Sequence, residues 1–223
     1  LGVDQVGDQT GALYVLDDPN GDGFVQVQKL WPEPSQAGIE FSKAFDVHSG
    51  VLAVGAPGYD SNFQNDGAVF VFEKQNEEWV QIQRLTVPEI GNGAFLGRAI
   101  ATNGNYIAAS SSNSPISGAG TVYIFRKSDG GAWELNQTLR PADGAADDFF
   151  GSALAFSDTR LVVAADMDDD NQEESGSVYV FELVDGSWVQ QSKLNASDNS
   201  SGDELGGGKG TSMNLIAIEA TTL

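Results

Sequence analysis

The sequence predicts an all-β protein assembled from stacked four-stranded antiparallel units. Two observations carry this. The first is punctuation: 27 glycines in 223 residues, against about 7% in an average chain, separate short runs rich in Val, Ile, Tyr and Phe. Runs of that kind bounded by Gly, Asp, Asn and Ser read as strands, and no long stretch carries a helical period. The second is an internal repeat of about 55 residues, a spacing that marks stacked supersecondary units.

Five markers recur in one phase. A glycine leads an apolar run at Gly11, Gly67, Gly120 and Gly176, the last reading Gly-Ser-Val-Tyr-Val-Phe. An aromatic follows at Phe24, Trp79, Trp133 and Trp188, and a leucine closes the next strand at Leu30, Leu85, Leu139 and Leu194. The fourth marker is Phe41, Leu96, Phe150 and Leu205. The fifth is an apolar core that reads Leu-Ala-Val-Gly from Leu52, Ile-Ala-Ala-Ser from Ile107, Leu-Val-Val-Ala from Leu161 and Leu-Ile-Ala-Ile from Leu215. In the third full copy these markers place strands at about 151–157, 160–165, 176–182 and 187–194.

Strands joined by such short connections form a meander of hairpins. The second and third strands of each unit are nearly continuous apolar runs, so both their faces are buried. Sheets that bury both faces stack on neighbouring sheets, and a four-stranded unit stacked several times is a β-propeller. The chain reads as one domain over 1–223, with sixteen strands. Its N-terminal strands (11–30) and C-terminal strands (206–219) are expected to combine into one composite blade that closes a ring of four. The alternative is part of a larger propeller.

Composition excludes several functions. Asp and Glu number 32 against 11 Lys and Arg, a net charge of −21, so phosphate-bearing partners are repelled and no nucleic-acid partner is expected. No apolar run approaches the roughly 18 residues of a spanning helix, so no membrane insertion is expected. There is no cysteine, and His48 is the lone histidine. That removes disulfides, thiol chemistry and multi-histidine metal sites. His48 falls in a tight turn with no serine–carboxylate pattern around it, and nothing supports a triad.

The markers resemble the FG-GAP repeat, the unit of the integrin α-chain N-terminal propeller and of many bacterial and algal surface proteins. The Phe-Gly element is literal at Phe150-Gly151 and approximate at Leu96-Gly97 and Leu205-Gly206. The Gly-Ala-Pro element is literal at Gly55-Ala56-Pro57 and departs to Ser110-Ser111-Ser112 and Ala164-Ala165-Asp166 in later copies. The resemblance implies an extracellular or cell-surface adhesion or binding propeller without catalysis, with any secretion leader outside these residues. Sequons at Asn136, Asn195 and Asn199 agree with secretion. In integrin-like repeats an Asp-rich calcium loop joins strands one and two. The turns here (46–50, 103–105 and 157–159) are too short to supply six oxygens, so that role is not carried over.

Antiparallel geometry puts the loops between strands two and three at the same end as those between units. More than half of the 32 acids fall in those loops, which makes that end a docking face for a basic partner or divalent cations. The bland reading is a solvated, solubilising surface. Candidate partner-binding acids are Asp143, Asp147, Asp148, Asp203 and Glu204. The densest run spans 166–174. Asp166, Asp168 and Asp170 alternate as in calcium loops, and Glu173 and Glu174 complete an oxygen cage, so calcium is the cofactor this loop would take. Asn171 stands where an EF-hand has glycine, and a mobile acidic loop is the other reading. Residues 18–23 match the first half of such a loop but read better as a glycine-rich hairpin turn.

Trp79, Trp133 and Trp188 hold equivalent positions and are expected to pack between blades. Trp31 has no counterpart in the other units and precedes Pro32 and Pro34, so it is a candidate contact for a protein or glycan ligand. The alternatives to a binding propeller are a structural subunit of a filament, sheath or multi-subunit assembly, whose partner is itself or other subunits, and a glycosidase. The last requires two acids converging in a central pocket.

Overall fold

The computed structural model describes residues 10–111, 118–170, 172–198 and 200–207. A two-stranded half-blade, β1 (Leu13–Asp17) and β2 (Val25–Leu30), is followed by three four-stranded blades. Blade A comprises β3 (Phe45–His48), β4 (Val51–Ala56), β5 (Ala68–Gln75) and β6 (Glu78–Leu85). Blade B comprises β7 (Ile100–Thr102), β8 (Tyr106–Ser111), β9 (Thr121–Lys127) and β10 (Trp133–Leu139). Blade C comprises β11 (Phe150–Phe156), β12 (Arg160–Ala165), β13 (Ser177–Val184) and β14 (Ser187–Leu194). Every sheet is an antiparallel meander in chain order. Fourteen of the sixteen expected strands are therefore present. The final pair expected within 206–219 lies outside the described residues from 208 onward, and the described blades form an open arc. There is no helix among them.

Three apolar layers fill the spaces between blades. The odd-facing residues Val69 and Val71 of β5 pack with Ile100, Ile107 and Phe125 of blade B, and Phe70 and Phe72 pack back on Leu30 and Val15 of the half-blade. A third layer joins blades B and C around Val122, Ile124, Phe150 and Phe181. Strands β4 and β8 are buried along their whole length, as their unbroken apolar runs require. The first strands adjoin in succession, β3 beside β7 and β7 beside β11.

The repeat markers turn out to be inter-blade latches. The N–H of each Phe or Leu marker bonds the carbonyl just before the glycine of the preceding blade. These bonds are Phe41 to Thr10 at 2.9 Å, Leu96 to Asp66 at 3.0 Å, Phe150 to Ala119 at 2.8 Å and Leu205 to Ser175 at 3.0 Å. The approach leaves no room for a side chain. A Cβ on Gly67 would stand 2.3 Å from Leu96 N, and one on Gly120 would stand 2.2 Å from Phe150 O. Both glycines also hold φ near +90° (+82° and +96°), where L-residues are strained. A second latch is glutamine-based: Gln28, Gln83 and Gln137 each hold the backbone N–H and C=O of the next blade's tryptophan (Trp79, Trp133 and Trp188) at 2.7–2.9 Å.

Trp133 and Trp188 are buried as expected, each 2% exposed. Trp79 is half-buried against the half-blade layer. Phe24, the first member of that series, is 78% exposed. The half-blade has no described neighbour on its outer side, so Tyr14 and Leu16 are exposed where their counterparts Phe70 and Phe72 are buried.

Candidate functional site

The meander places two sets of loops at one end of the blades: those between second and third strands, and those that cross from one blade to the next. At blade C these are residues 166–176, 140–149 and 195–207. The first and last are zipped together by Gly202 N to Glu173 O at 2.9 Å, Glu204 N to Glu174 O at 3.1 Å and Leu205 N to Ser175 O at 3.0 Å. This brings the sequence-predicted acids of blade C to one end. Asp143, Asp147, Asp170, Glu173 and Asp203 are exposed there, Asp166 and Glu174 are half-buried, and Asp148, Asp168 and Glu204 are buried. Trp31 is 47% exposed and stands apart from them, in a groove of about 270 Å³ beside Trp79, Gln81 and Glu33. Gln81 holds the Glu33 backbone in that groove with bonds of 2.8 and 2.5 Å.

Several carboxylates serve as loop caps. Buried Asp66 in blade A accepts bonds from the backbone N–H groups of Ser61, Asn62 and Phe63 at 2.8–3.1 Å. In blade C, Asp148 accepts from Ala145 N at 2.6 Å, and Asp203 accepts from Ser200 N at 2.6 Å. Backbone donors that a tight loop cannot pair internally are satisfied this way. Burial pushes the Asp148 carboxyl up to about 6; the Ala145 bond opposes this, and the charges of Asp168, Asp169 and Asp170 add to it. Burial also raises Asp166, whose carboxylate is partly compensated by Ser152.

The centre of the site is a lysine. Lys193, one residue before the closing leucine of β14, extends its ammonium between the two loops. It lies 3.0 Å from Asp143 Oδ2, 2.8 Å from Asp168 Oδ2 and 2.5 Å from Asp170 Oδ2. Its side chain is 16% exposed, and that of Asp168 is 2% exposed. The Tyr179 hydroxyl lies 2.9 Å from Asp168 Oδ2 and 3.1 Å from Asp143 Oδ1, while Ser177 Oγ donates to Asp168 Oδ1 at 3.0 Å. Burial alone would lower the lysine's proton affinity, but the bonds with Asp168, Asp170, Tyr179 and Asp143 outweigh it and raise it well above the usual value. The same lysine holds Asp143 below the ordinary carboxylate range against the opposing effect of burial.

Sequence reasoning read the loop end by its acids alone, with calcium as the cation for the 166–174 run, which itself contains no lysine or arginine. It missed Lys193 because the neutralising charge arrives from a strand, not from the loop. A signal existed. The residue before the closing leucine is Lys29, Arg84, Thr138 and Lys193 in the four units, and all three cations sit over an aromatic, on the third strand in the half-blade and blade C and in the loop after β4 in blade A. Lys29 lies 5.7 Å from the Tyr14 ring, Arg84 4.9 Å from Tyr59 and Lys193 5.2 Å from Tyr179. Arg84 also bonds the Tyr59 hydroxyl. Among the described residues, no group of three or more acidic or histidine side chains is arranged to hold a metal ion.

Blades of this connectivity, latched at a glycine and at a Phe-Gly or Leu-Gly pair, define a propeller-type repeat protein. The model described as the FG-GAP repeat matches residues 133–181, from β10 of blade B through most of β13. No curated protein matches the chain. Among solved structures, one of a Saccharomyces cerevisiae complex, a Dbp5 variant bound to Nup159, a Gle1 variant, IP6 and ADP, contains a similar chain at 12% identity and a TM-score of 0.39. The match covers 83% of this chain and 45% of that one, so this chain spans less than half the length of that neighbour.

Proposed function

We propose that this protein is an extracellular, non-catalytic binding or adhesion propeller that engages a basic protein surface through the acidic loop end of its blades. The FG-GAP repeat supports the binding class. The observation that carries the choice of face is the set of exposed carboxylates at the loop end of blade C: Asp147, Asp169, Asp170, Glu173 and Asp203. Latched loops hold these charges in fixed positions, and a preorganised field of one sign steers and orients an oppositely charged partner.

The test compares two triple charge reversals of equal net charge. One set, Asp147→Lys with Asp169→Lys and Asp203→Lys, alters the acidic loop end. The other, Asp129→Lys with Asp158→Lys and Asp185→Lys, alters exposed turns at the opposite end. The probe is a labelled peptide rich in lysine and arginine, titrated at physiological salt. The first set is expected to weaken binding at least about tenfold and the second to leave it within about twofold, because local complementarity exceeds the screened field of the whole molecule. Equal loss from both sets would mean that net charge alone attracts the probe, and the proposal would fall.

A further inference from the structure

We infer that Asp143, Asp168 and Asp170 form a cation site whose occupant is the chain's own Lys193 ammonium. An ammonium has three N–H donors. Here three carboxylate oxygens, one from each aspartate, stand 2.5–3.0 Å from the nitrogen, so each donor has one charged acceptor. The aspartates come from different segments: Asp143 from the crossover between blades B and C, Asp168 and Asp170 from the loop after β12. Pairing all three with one cation from β14 ties both loops to blade C.

The rest of the pocket fits a permanent internal cation. The ammonium stands 5.2 Å from the centre of the Tyr179 ring, and the Tyr179 hydroxyl lies within hydrogen-bond distance of both Asp168 and Asp143. Ser177 and the Asp170 N–H both bond Asp168 Oδ1, at 3.0 and 3.3 Å, so the buried carboxylate is saturated. A calcium ion needs six or more oxygens at about 2.3–2.6 Å and would have to expel the ammonium to reach these three aspartates. The equivalent cations in the half-blade and blade A stack on aromatics: in blade A, Tyr59 stands where blade C has Asp168. Blade C alone among the described units pairs this basic position with carboxylates. The acidic loop is thus ordered without a divalent metal, and removing the ammonium should create a vacancy that calcium can fill.

The test uses the full chain in two experiments. In the first, wild type and Lys193→Met are melted in chelator and in millimolar calcium. Wild type is expected to melt at the same temperature in both. In chelator, Lys193→Met should melt lower by at least about 5 °C, since it leaves the buried Asp168 carboxylate without its counter-ion and beside two further aspartates. Calcium should recover part of that loss, and Asp168→Asn with Asp170→Asn added should abolish the recovery. A calcium-dependent rise in wild type, an unchanged melting point for Lys193→Met in chelator, or no calcium response in that variant would each overturn the inference. The second experiment needs no variant: amine acylation of the native protein, read by mass spectrometry. Lys193 should react at least about tenfold more slowly than Lys74, which is also ion-paired but has a side chain 45% exposed, because the Lys193 nitrogen is enclosed by three carboxylates and the Tyr179 ring. Equal rates would overturn the inference whether or not Lys193→Met folds.

Discussion

Replacing Gln83 by alanine tests whether the blades are held by the glutamine latch. Its amide donates to Trp133 O at 2.7 Å and accepts from Trp133 N at 2.8 Å, joining the outer strands of blades A and B. Trp133 is 2% exposed, so both backbone groups lose a partner where water has poor access. Each hydrogen bond contributes about 1 kcal/mol net, which puts Gln83→Ala at about 2 kcal/mol. For a chain of this size 1 kcal/mol moves the melting temperature by about 2–4 °C, so the expected fall is roughly 4–8 °C in a thermal melt followed by tryptophan fluorescence. Gln83→Glu sharpens the test. Its ionised carboxylate still accepts from Trp133 N but sets a second lone pair against Trp133 O. It should be the worse variant at neutral pH and recover in acid, when the protonated carboxyl donates again. Gln26→Ala, at an exposed position of the half-blade, is the control. A Gln83→Ala melt that matches the Gln26→Ala melt would refute the latch.

Three further outcomes are expected. Trp133→Ala should cost about 3–5 kcal/mol in urea denaturation as a core truncation, while Trp31→Ala, half exposed, should cost under about 1 kcal/mol; equal costs would show that the wrong tryptophan is structural. Gly120→Ala should destabilise by more than about 3 kcal/mol, because its Cβ would meet the Phe150 backbone at 2.2 Å in a strained φ region; a neutral melt would remove the glycine latch. The Asp148 carboxyl, raised from 3.8 to about 6, binds its proton more tightly folded than unfolded. Its contribution is therefore full below pH 4 and is lost as pH rises through 6, by at most about 3 kcal/mol. Asp148→Asn should stabilise at pH 7 and flatten this slope between pH 4 and 6; an unchanged slope would assign the dependence to other groups.

Much of the fold was legible because its cause is periodic. A blade that buries both faces must write an apolar run for β4, β8 and β12, and a latch repeated in every unit must write its glycine and its Phe or Leu at a fixed interval. The second strand of blade C falls where expected, at Arg160–Ala165, and the fourth at Ser187–Leu194. The third runs on to Val184, since the hairpin turn is tight and pairing continues to it. The glutamine latch was equally periodic, two residues before each closing leucine at Gln28, Gln83 and Gln137, but a polar residue on an outer strand looks like any solvated one until its partner is seen. The acidic site was legible only in part. Strand polarity placed its loops at one end, whereas the pairing of Asp143 and Asp168 with Lys193 depends on which side chains converge in space. Those residues lie 25–50 positions apart, and spacing alone does not encode such a meeting.

The central claim is that the acidic loop end of the blades is the binding face. Hydrogen–deuterium exchange of the full chain, with and without the lysine- and arginine-rich probe, tests it directly. Bound probe should slow exchange in residues 143–148, 168–176 and 200–205 and leave the turns at 48–51, 103–105, 128–132 and 157–159 unchanged. Protection confined to those turns, or spread evenly over both ends, would contradict it.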